Sequence, residues 1–428
     1  MGTILIKNGI VFDTEEKTTS VKDVFIENGL IKSIAENIAD EADKKIDACG
    51  LWVTPGFIDL HTHLREPGLT HKETIISGSA SAAKGGFTTI CAMPNTKPVI
   101  HNAEVVNYIK ERAKAAVCNV LPIGAITVDQ TGDELADIKG MNEAGICALS
   151  EDGKSVLSAK KLKDAMIISK EYGLPVFSHC EDMSLVDGGC INEGVASKLL
   201  GLKGISDDSE SAIVARDIVL AESTDSVLHI CHISTAQSIQ FVKEAQARGV
   251  KVTAEACPHH FSLCDEFITS ADTNTKMNPP LRSRKNMEAV IAGLKDGTIS
   301  VIATDHAPHT AEEKARDYAK APFGIVGFET ALSLGVTNLV KTGKLTPMEL
   351  IEKMTINPAK IIKSDKGNIK EGLVADIAII DPDEVYTVNC DEFASLSKNS
   401  PFNGFELTGR VKHTILNGVL VVEDSKLI

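Results

Sequence analysis

The sequence predicts an α/β protein, with a (β/α)8 TIM-like barrel and a small composite β-sandwich domain that is formed by both termini. In the middle of the chain, short apolar runs alternate eight times with longer segments of helical periodicity. Both ends instead alternate apolar and polar residues in short strands, with Asn-Gly pairs as the expected turns between them. The predicted division is therefore 1–54 and 363–428 for the β domain and 55–362 for the barrel.

The composition indicates an ordinary globular protein. Of its 428 residues 43% are hydrophobic and 24% charged, and no apolar run reaches the roughly 18 residues of a membrane span. The net charge of −15 disfavours nucleic acid and anionic membrane as partners. The first residues lack a signal-peptide pattern, and the ten cysteines contain no C-x-x-C pair. We therefore expect reduced thiols and a cytoplasmic location.

Asn-Gly pairs predict hairpins at both ends of the chain. The expected turns are Asn8-Gly9, Asn28-Gly29 and Asn417-Gly418. Because the two ends share this texture and the middle does not, we expect one β domain built from both termini, with the barrel as a large insert between them.

Eight apolar runs are the expected barrel strands: GFIDLHTHL, TTICAMPN, VLPIGAIT, GICALSED, PVFSHCED, SVLHICHIS, KVTAEACPHH and SVIATDHAPH. Helical segments such as HNAEVVNYIKERAKAA, SAKKLKDAMIISKEYG and AQSIQFVKEAQARG lie between them. Eight strand–helix units close into a parallel barrel. An open, doubly wound sheet is the alternative, but it usually has fewer strands, and the chain has neither a G-x-G-x-x-G nor a Walker A motif.

Histidines and carboxylates collect at the C-terminal ends of these strands, where barrel active sites lie. Asp59, His61 and His63 alternate along the first strand and therefore share one face. Imidazoles at this spacing suit Zn²⁺. By the same period, His229 and His306 are expected to face away from the site. Further candidate ligands end the fourth, fifth, sixth and eighth strands: Asp152, His179, His232 and Asp305.

Five motifs of the chain resemble the dihydroorotases of the bacterial class I type, within the amidohydrolase superfamily. The motifs are HTHLREPG (61–68), MPNT (93–96), SED (150–152), KMNPPLR (276–282) and ATDHAPH (303–309). H-x-H alone is found in many metal hydrolases, whereas the five motifs together are typical of far fewer proteins. The resemblance implies a zinc enzyme, with two ions expected rather than one. It also implies the reversible opening of dihydroorotate to N-carbamoyl-aspartate in pyrimidine (UMP) biosynthesis.

The resemblance also implies roles for the candidate ligands. Asp305 is expected to be the catalytic group, taking the proton of the attacking water and passing it to the leaving ring nitrogen. Many superfamily members carry a carboxylated lysine at the end of strand four, where this chain has Asp152. Lys154 follows Gly153 and is expected to be a solvated loop residue, so occupancy of the second metal site stays open. The expected metal ligands are His61, His63, Asp152, His179, His232 and Asp305.

An anionic substrate requires a cation, and Arg65, two residues after His63, is expected at the same mouth. Its planar fork suits a carboxylate. A surface ion pair with Glu66 is the alternative for Arg65, and ordinary turn chemistry is the alternative for the two asparagines below. The resemblance implies further substrate contacts from His63, Asn95, Asn278 and His309 and from the backbone of Phe323 and Gly324.

The polar segment 310–324 is either a lid, with hinges at Gly324 and Gly327, or a solvated helix or loop. Another cyclic-amide hydrolase, a hydantoinase or allantoinase, is the nearest alternative function. A non-catalytic barrel homologue that acts as a scaffold is the second, and the complete ligand set argues against it. The expected partners are the small-molecule substrate, a second copy of the chain and, as the resemblance allows, an aspartate transcarbamoylase.

Overall fold

A computed structural model describes residues 2–428, and over this range the chain forms twenty strands and fourteen α-helices. The strands are β1 Ile4–Asp13, β2 Thr18–Glu27, β3 Leu30–Ala35, β4 Lys44–Asp47, β5 Trp52–Pro55, β6 Phe57–Thr62, β7 Phe87–Ala92, β8 Asn119–Pro122, β9 Gly124–Ala125, β10 Leu149–Ser150, β11 Val176–Ser178, β12 Ile191–Asn192, β13 Gly204–Ile205, β14 Leu228–Ile230, β15 Val252–Ala256, β16 Val301–Ile302, β17 Ile377–Thr387, β18 Glu406–Leu416, β19 Val419–Glu423 and β20 Lys426–Leu427.

The α-helices are α1 Ile75–Lys84, α2 Ala103–Ala113, α3 Ile138–Ala144, α4 Ala159–Tyr172, α5 Met183–Val186, α6 Val195–Leu200, α7 Asp208–Thr224, α8 Ala236–Ala247, α9 Pro258–Ser262, α10 Arg284–Asp296, α11 Ala311–Lys314, α12 Phe328–Gly335, α13 Pro347–Met354 and α14 Ile356–Ile361. Asn102, Ser158 and Thr235 begin α2, α4 and α8 by accepting a hydrogen bond from the first helical turn, so these three expected helices are confirmed. Across residues 2–428 we find no helix with the length and apolar character that a membrane crossing requires.

The middle of the chain forms the expected eight-stranded parallel barrel. Two sheets contribute, β6-β7-β8 and β9-β10-β11-β14-β15-β16, and β8 and β9 are two parts of the third barrel strand. The backbone of Ile123 donates to Ala92 at 3.0 Å and joins the sheets on one side. That of His63 donates to His306 at 2.9 Å and closes the ring between the last and first strands.

Side chains fill the barrel interior, so the barrel is a packed core rather than a channel. The fully buried members of this interior cluster include Ile58, Leu60, Cys91, Phe177, Val301 and Ala303. Because these apolar residues occupy the inside of the strands, the polar residues of the same strands collect at their C-terminal ends.

The two termini form one nine-stranded sheet with the order β20-β19-β18-β17-β5-β1-β2-β3, and β4 pairs with β1 beside this path. β5 pairs in parallel with β1 and antiparallel with β17, which brings the C-terminal strands directly against the N-terminal ones. The composite β domain is therefore confirmed, while its domain boundaries stay a prediction. The turns Asn28-Gly29 and Asn417-Gly418 lie where they were expected, between β2 and β3 and between β18 and β19.

The expected hairpin turn at Asn8-Gly9 is wrong. This pair lies inside β1, where the register with β2 shifts between Ile6 and Gly9. Asn8 has a left-handed φ of 59°, as in a β-bulge. A Cβ on Gly9 would lie 2.3 Å from Cγ2 of Val53, so close packing against β5 requires this glycine. The hairpin instead turns at residues 14–17.

Candidate metal centre and substrate pocket

The strand ends converge on one cavity of about 220 Å³. It contains eleven of the twelve residues that the sequence selected, and the twelfth, His61, is fully buried against this group. The structure therefore brings together the whole selected set, while the roles given to its members stay predictions. The eleven are His63, Arg65, Asn95, Asp152, His179, His232, Asn278, Asp305, His309, Phe323 and Gly324.

Asp152 stands at the centre of four imidazoles. Its Oδ1 atom lies 3.2 Å from Nε2 of His61. The same oxygen lies 3.5 Å from Nδ1 of His179 and 3.6 Å from Nε2 of His232. Its second oxygen, Oδ2, lies 3.3 Å from Nε2 of His63. A carboxylate whose two oxygens face different imidazoles is a donor arrangement that would suit metal binding.

Asp305 approaches the same group from the eighth strand, with Oδ1 at 3.0 Å from Nε2 of His63 and 3.5 Å from Nε2 of His61. Two sets of ligand atoms each lie within 4.8 Å of one another. Nε2 of His61 and Oδ1 of Asp152 are buried and have no hydrogen-bond partner within residues 2–428. Buried polar atoms are rarely left unpaired, and imidazole with carboxylate is a zinc donor set, so these residues fit a metal centre. The two sets are His61–His63–Asp305 and His61–Asp152–His232.

Three of the histidines are oriented through their other ring nitrogen. An acceptor on that nitrogen fixes the proton there and leaves the remaining nitrogen free for a metal. These contacts are Nδ1 of His61 to Oε1 of Glu255 (2.8 Å), Nδ1 of His63 to Oδ1 of Asn95 (2.9 Å) and Nε2 of His179 to Oε2 of Glu181 (3.4 Å).

The sequence analysis missed Glu255, which lies on β15 and is fully buried. Its Oε2 atom lies 3.0 Å from Nε2 of His229, so His229 stays off the metal cluster as expected but is connected to His61 through this carboxylate. Although burial raises the pKa of Glu255, hydrogen bonds from His229 and His61 hold it below its ordinary value. The available signal was a charged residue inside an apolar strand, because a buried charge needs a partner.

His306 points away from Asp305, as the sequence predicted. Its Nδ1 accepts a hydrogen bond from the backbone of Gly327 at 3.2 Å, and its Nε2 lies 3.4 Å from Oε2 of Glu73. The ring stacks on Phe328 with centroids 4.1 Å apart. These contacts use both ring nitrogens and one ring face, so His306 is a packing residue behind the site.

Backbone conformation, rather than strand periodicity, directs three residues into the cavity. Arg65, His232 and Asp305 lie beyond the last residues of β6, β14 and β16, and their φ angles are 59°, 33° and 48°. Residues other than glycine rarely adopt such left-handed angles, which cost about 1–3 kcal/mol each and concentrate at functional sites. Arg65 therefore reaches the expected mouth, although the period-two argument does not apply to it.

Lys154 behaves as a loop residue. It is exposed, and its ammonium donates to the backbone oxygen of Gln130 at 2.8 Å. Asp152, two residues earlier, is buried at the centre of the imidazoles. The end of strand four therefore contributes a carboxylate and no lysine to the cluster.

Burial and neighbouring charges set the ionisation of the cavity. Burial raises the pKa of Asp305, but His61 and His63 outweigh it and lower this pKa to about 2. Burial lowers the pKa of Arg65 to about 10 and, together with the charge of Arg65, lowers that of His309 to about 2. At neutral pH Asp305 is therefore an ionised acceptor, Arg65 a cation and His309 a neutral imidazole.

Arg65 and His309 lie together in the cavity, which they line with histidines of the metal cluster. Nε of Arg65 donates to the backbone oxygen of Pro308 at 3.3 Å, and Nη2 lies 3.4 Å from Nε2 of His309. Glu66 pairs with Arg112 at 2.8 Å instead, so the alternative of an Arg65–Glu66 ion pair is wrong. No carboxylate within residues 2–428 forms an ion pair with Arg65, and its charge is available to an anionic ligand.

Lys72, which the sequence analysis also missed, fixes the tautomer of His309. Its ammonium lies 3.3 Å from Nδ1 of His309, and Nε2 lies 2.8 Å from the backbone oxygen of Phe323. An ammonium only donates, so Nδ1 is the acceptor and Nε2 carries the proton. No local sequence pattern marked Lys72, because its partner is 237 residues away.

The segment 310–324 is neither a free helix nor a fully solvated loop. Only Ala311–Lys314 is helical, and Lys314 and Tyr318 are buried. Gly324 has φ 128°, and a Cβ there would lie 2.7 Å from Cβ of Ala307, so this wall position requires glycine. A lid function for the segment stays a prediction.

Comparisons with known proteins point to one family. A family model described as Dihydro-orotase-like matches residues 50–238. A protein named dihydroorotase from Acetivibrio thermocellus is 49% identical over 426 residues, 99% of this chain and 100% of its own. One of the same name from Pelotomaculum thermopropionicum is 49% identical over 421 residues, 98% and 99% of the two chains.

Likeness of fold extends further. The solved structure of the L-hydantoinase (dihydropyrimidinase) from Arthrobacter aurescens matches with a TM-score of 0.91 at 25% identity, over 100% of this chain and 98% of that one. The barrel with its composite sheet is therefore shared with enzymes named for other cyclic amides, whereas the high sequence identity is to proteins of a single name.

Proposed function

Because this chain belongs to the dihydroorotase family, we propose that it interconverts (S)-dihydroorotate and N-carbamoyl-L-aspartate, a reversible step of pyrimidine (UMP) biosynthesis. It is a hydrolase of cyclic amides. One observation carries the choice of substrate: a metal-type cluster and the unpaired guanidinium of Arg65 share a single cavity. Dihydroorotate has the two matching groups, a ring amide and a carboxylate.

We assign two zinc ions to the cluster. His61 and His63 with Asp152 and Asp305 would hold one ion, and His179 and His232 with Asp152 would hold the second. Zinc, when bound, lowers the pKa of water towards neutrality and polarises an amide carbonyl. The donor set of imidazole and carboxylate favours zinc over harder cations. Asp152 at the end of strand four, where many superfamily members carry a carboxylated lysine, supports assignment to the bacterial class I type.

Asp305 moves the proton in this proposal. Its low pKa keeps it ionised, so it accepts the proton of the attacking water and then gives it to the ring nitrogen that leaves. In ring closure the same group acts in reverse. The left-handed backbone at Asp305 holds the carboxylate beside His63 for both directions.

The other residues of the cavity bind and orient the substrate. Arg65, Asn95 and His309 would hold the carboxylate, with the arginine as the only cation among these three. His63 lies between the two ends, 2.9 Å from Asn95 and 3.0 Å from Asp305. Asn278 and the backbone of Phe323 and Gly324 would contact the ring.

A hydantoinase-like activity on uncharged cyclic amides is the second candidate, because the solved hydantoinase shares the fold over the full chain. The same metal cluster would serve it. The two functions differ at Arg65, which only a substrate with a carboxylate needs.

The experiment is metal analysis of the purified protein together with assays of dihydroorotate and of the uncharged dihydrouracil. Zinc and turnover of dihydroorotate support the proposal. A zinc protein that opens only dihydrouracil supports the hydantoinase-like function. A protein without metal and without either activity would instead support the scaffold alternative.

We also propose a cytoplasmic location, since all ten cysteines are free thiols, as a reducing compartment would keep them. A second copy of the chain and an aspartate transcarbamoylase stay the proposed partners. Size-exclusion chromatography of the protein alone, and mixed with that enzyme, tests both associations.

A further inference from the structure

Two buried lysines lie behind one wall of the cavity. Lys276 and Lys314 are 2% and 5% exposed, and within residues 2–428 neither forms an ion pair with a carboxylate. Each ammonium instead donates three hydrogen bonds to backbone oxygens. Lys276 donates to Tyr318 (2.7 Å), Ala319 (3.2 Å) and Ala321 (2.6 Å), and Lys314 donates to Lys276 (3.2 Å), Pro322 (3.1 Å) and Gly324 (3.0 Å).

These bonds connect two walls of the cavity. The backbone of Gly324 donates to the oxygen of Lys276 at 3.0 Å, and the Lys276 ammonium lies 4.4 Å from the centre of the Phe323 ring. Asn278, two residues after Lys276, lines the cavity together with Phe323 and Gly324. The main chain that faces the substrate is thus tied through two ammonium groups rather than through apolar packing alone.

A buried ammonium without an ionised partner is costly, because carbonyl oxygens satisfy its donors but do not neutralise its charge. Burial accordingly lowers the pKa of Lys276, and it lowers that of Lys314 to about 7. A hydrophobic residue of similar length would avoid this cost but would leave these backbone oxygens without donors. The two ammonium groups therefore hold the loop and at the same time place positive charge behind the cavity wall.

Lys314 lies close to His309: its ammonium donates to the backbone oxygen of Gly324 at 3.0 Å, and the preceding oxygen, that of Phe323, lies 2.8 Å from Nε2 of His309. After burial, the cations that depress the pKa of His309 are Arg65, Lys72 and Lys314. Glu313 compensates Lys72 at 2.8 Å, whereas Arg65 and Lys314 have no such partner in the described chain. An anion bound beside His309 would therefore lie near two cationic side chains that form no direct ion pair, and it would favour the protonated form of Lys314.

We propose that Lys276 and Lys314 are positioning residues that make the cavity selective for an anionic substrate. Their hydrogen bonds hold the Phe323–Gly324 backbone in the wall, and the charge of Lys314 favours a carboxylate at the Arg65 end. This inference rests on the proposed function, which supplies the carboxylate.

Two substitutions at Lys314 distinguish the effect of its positive charge from the effect of its hydrogen bonds to the backbone. Lys314→Gln removes the charge and keeps donor hydrogens, and Lys314→Met removes both. We expect Lys314→Gln to raise KM for dihydroorotate about tenfold, as loss of one nearby buried charge predicts, with kcat changed less than about threefold. Lys314→Met is expected to raise KM further. The matched control is Lys320→Met, an exposed lysine of the same segment that pairs only with Asp317 at 3.3 Å.

Binding of two flat ring analogues gives a readout that a merely structural role would not move. Lys314→Gln should weaken the anion orotate about tenfold and leave uncharged uracil unchanged. Equal weakening of both analogues would overturn the inference, because it reports a deformed loop. Unchanged orotate binding would overturn it as well.

Lys276→Met tests whether hydrogen bonds from the ammonium to backbone oxygens hold the loop in place. We expect faster hydrogen exchange at the Gly324 amide and faster proteolysis within 315–324, with zinc content unchanged. If Lys276→Met were protected from hydrogen exchange and proteolysis as well as wild type, the proposed role of Lys276 in holding the loop would be wrong. Circular dichroism checks folding, and if Lys314→Met does not fold, Lys314→Gln decides. If the wild-type protein does not open dihydroorotate, the proposed function is wrong. If the wild type is active and Lys314→Gln behaves like Lys320→Met, only this inference is wrong.

Discussion

At one end of the cavity, the metal end, donor atoms of His61, His63 and Asp152 belong to strand ends and lie against one another. At a second part of the cavity, which we call the carboxylate end, Arg65 and His309 belong to irregular segments after β6 and β16. At the metal end each carboxylate lies within 3.6 Å of imidazole nitrogens. At the carboxylate end the guanidinium forms no ion pair with a carboxylate among residues 2–428, so it is free to pair with a bound anion.

This difference separates chemistry from selectivity. Damage at the metal end should remove activity toward every cyclic amide, because all of them share the ring carbonyl. Damage at the carboxylate end should discriminate between substrates with and without a carboxylate.

Removal of the central carboxylate should have the largest effect. Asp152→Ala, like His61→Ala or His63→Ala, should lose zinc and reduce activity on the order of 10³-fold or more, because metal ions contribute several kcal/mol to such reactions. Both dihydroorotate and dihydrouracil should be affected. Metal analysis with activity assays checks this, and Lys154→Ala, which changes an exposed residue two positions on, is the control. Full activity in a zinc-free protein would contradict the assignment.

Asp305→Asn should keep much of the fold and lower catalysis in both directions by about 10²–10⁴-fold, the usual contribution of a general acid–base. Asparagine has nearly the same shape but cannot accept the proton. His306→Asn is the control, because this ring faces Glu73 and Phe328, and it should be far milder. If Asp305→Asn with full zinc content kept near-normal rates while His306→Asn lost activity, the assignment of the catalytic base to Asp305 would be wrong by one residue.

Glu255→Gln should weaken zinc binding about 10–100-fold, the usual effect of losing the group that orients a metal-binding histidine. Glutamine fills the same space but presents only one acceptor where Glu255 serves both His61 and His229. Competition with a chelator measures zinc affinity. Unchanged affinity would mean that the barrel wall alone holds His61, and that the metal end does not depend on this deeper carboxylate.

The metal end was largely predictable from the sequence. Single histidines and carboxylates that terminate apolar strands must meet when the strands close into a barrel, and this placed Asp152 and Asp305 correctly. Glu255 was missed because its contact with His61 spans 194 residues and no local period shows it. Asn8-Gly9 fails for a related reason, because packing against Val53 decides between a bulge and a turn.

The carboxylate end was predictable only through the resemblance. Asn278 and Gly324 lie in segments without regular period, and no pattern in the chain assigns them to a cavity. Lys72 and Lys314 have the sequence surroundings of surface charges, yet Lys314 is 5% exposed. Hydrogen bonds from lysine ammonium groups to distant backbone oxygens form only when the loop is folded, so the sequence alone does not show them.

Arg65→Gln addresses the carboxylate end directly. Loss of a charge-assisted contact should cost roughly 1.5–3 kcal/mol, or about 10–150-fold in kcat/KM for dihydroorotate, with little change for dihydrouracil. Zinc content should stay at the wild-type level. An equal fall for both substrates would mean that Arg65 supports the loop through Pro308 rather than the substrate.

The smallest effect is expected from Lys72→Met. Lys72 donates to Nδ1 of His309 and so keeps the proton on Nε2, beside Arg65 and the backbone oxygen of Phe323. Without that donor the imidazole can take either tautomer, and only the one with the proton on Nε2 keeps the hydrogen bond to Phe323 that orients the ring in the cavity wall. Loss of one hydrogen bond, about 1 kcal/mol, predicts a rise of about fivefold in KM for dihydroorotate.

The rise for Lys72→Met should not appear with dihydrouracil, and kcat should hardly change, because the metal end is untouched. Lys320→Met again is the control for loss of a lysine. Nitrogen-15 spectra of the labelled His309 ring should show mixed tautomers in Lys72→Met and a single one in wild type. A single His309 tautomer in wild type and in Lys72→Met, together with the higher KM of the variant, would indicate that Lys72 acts through its positive charge alone. Substrate binding at the carboxylate end would then depend on that charge and not on which nitrogen of His309 carries the proton.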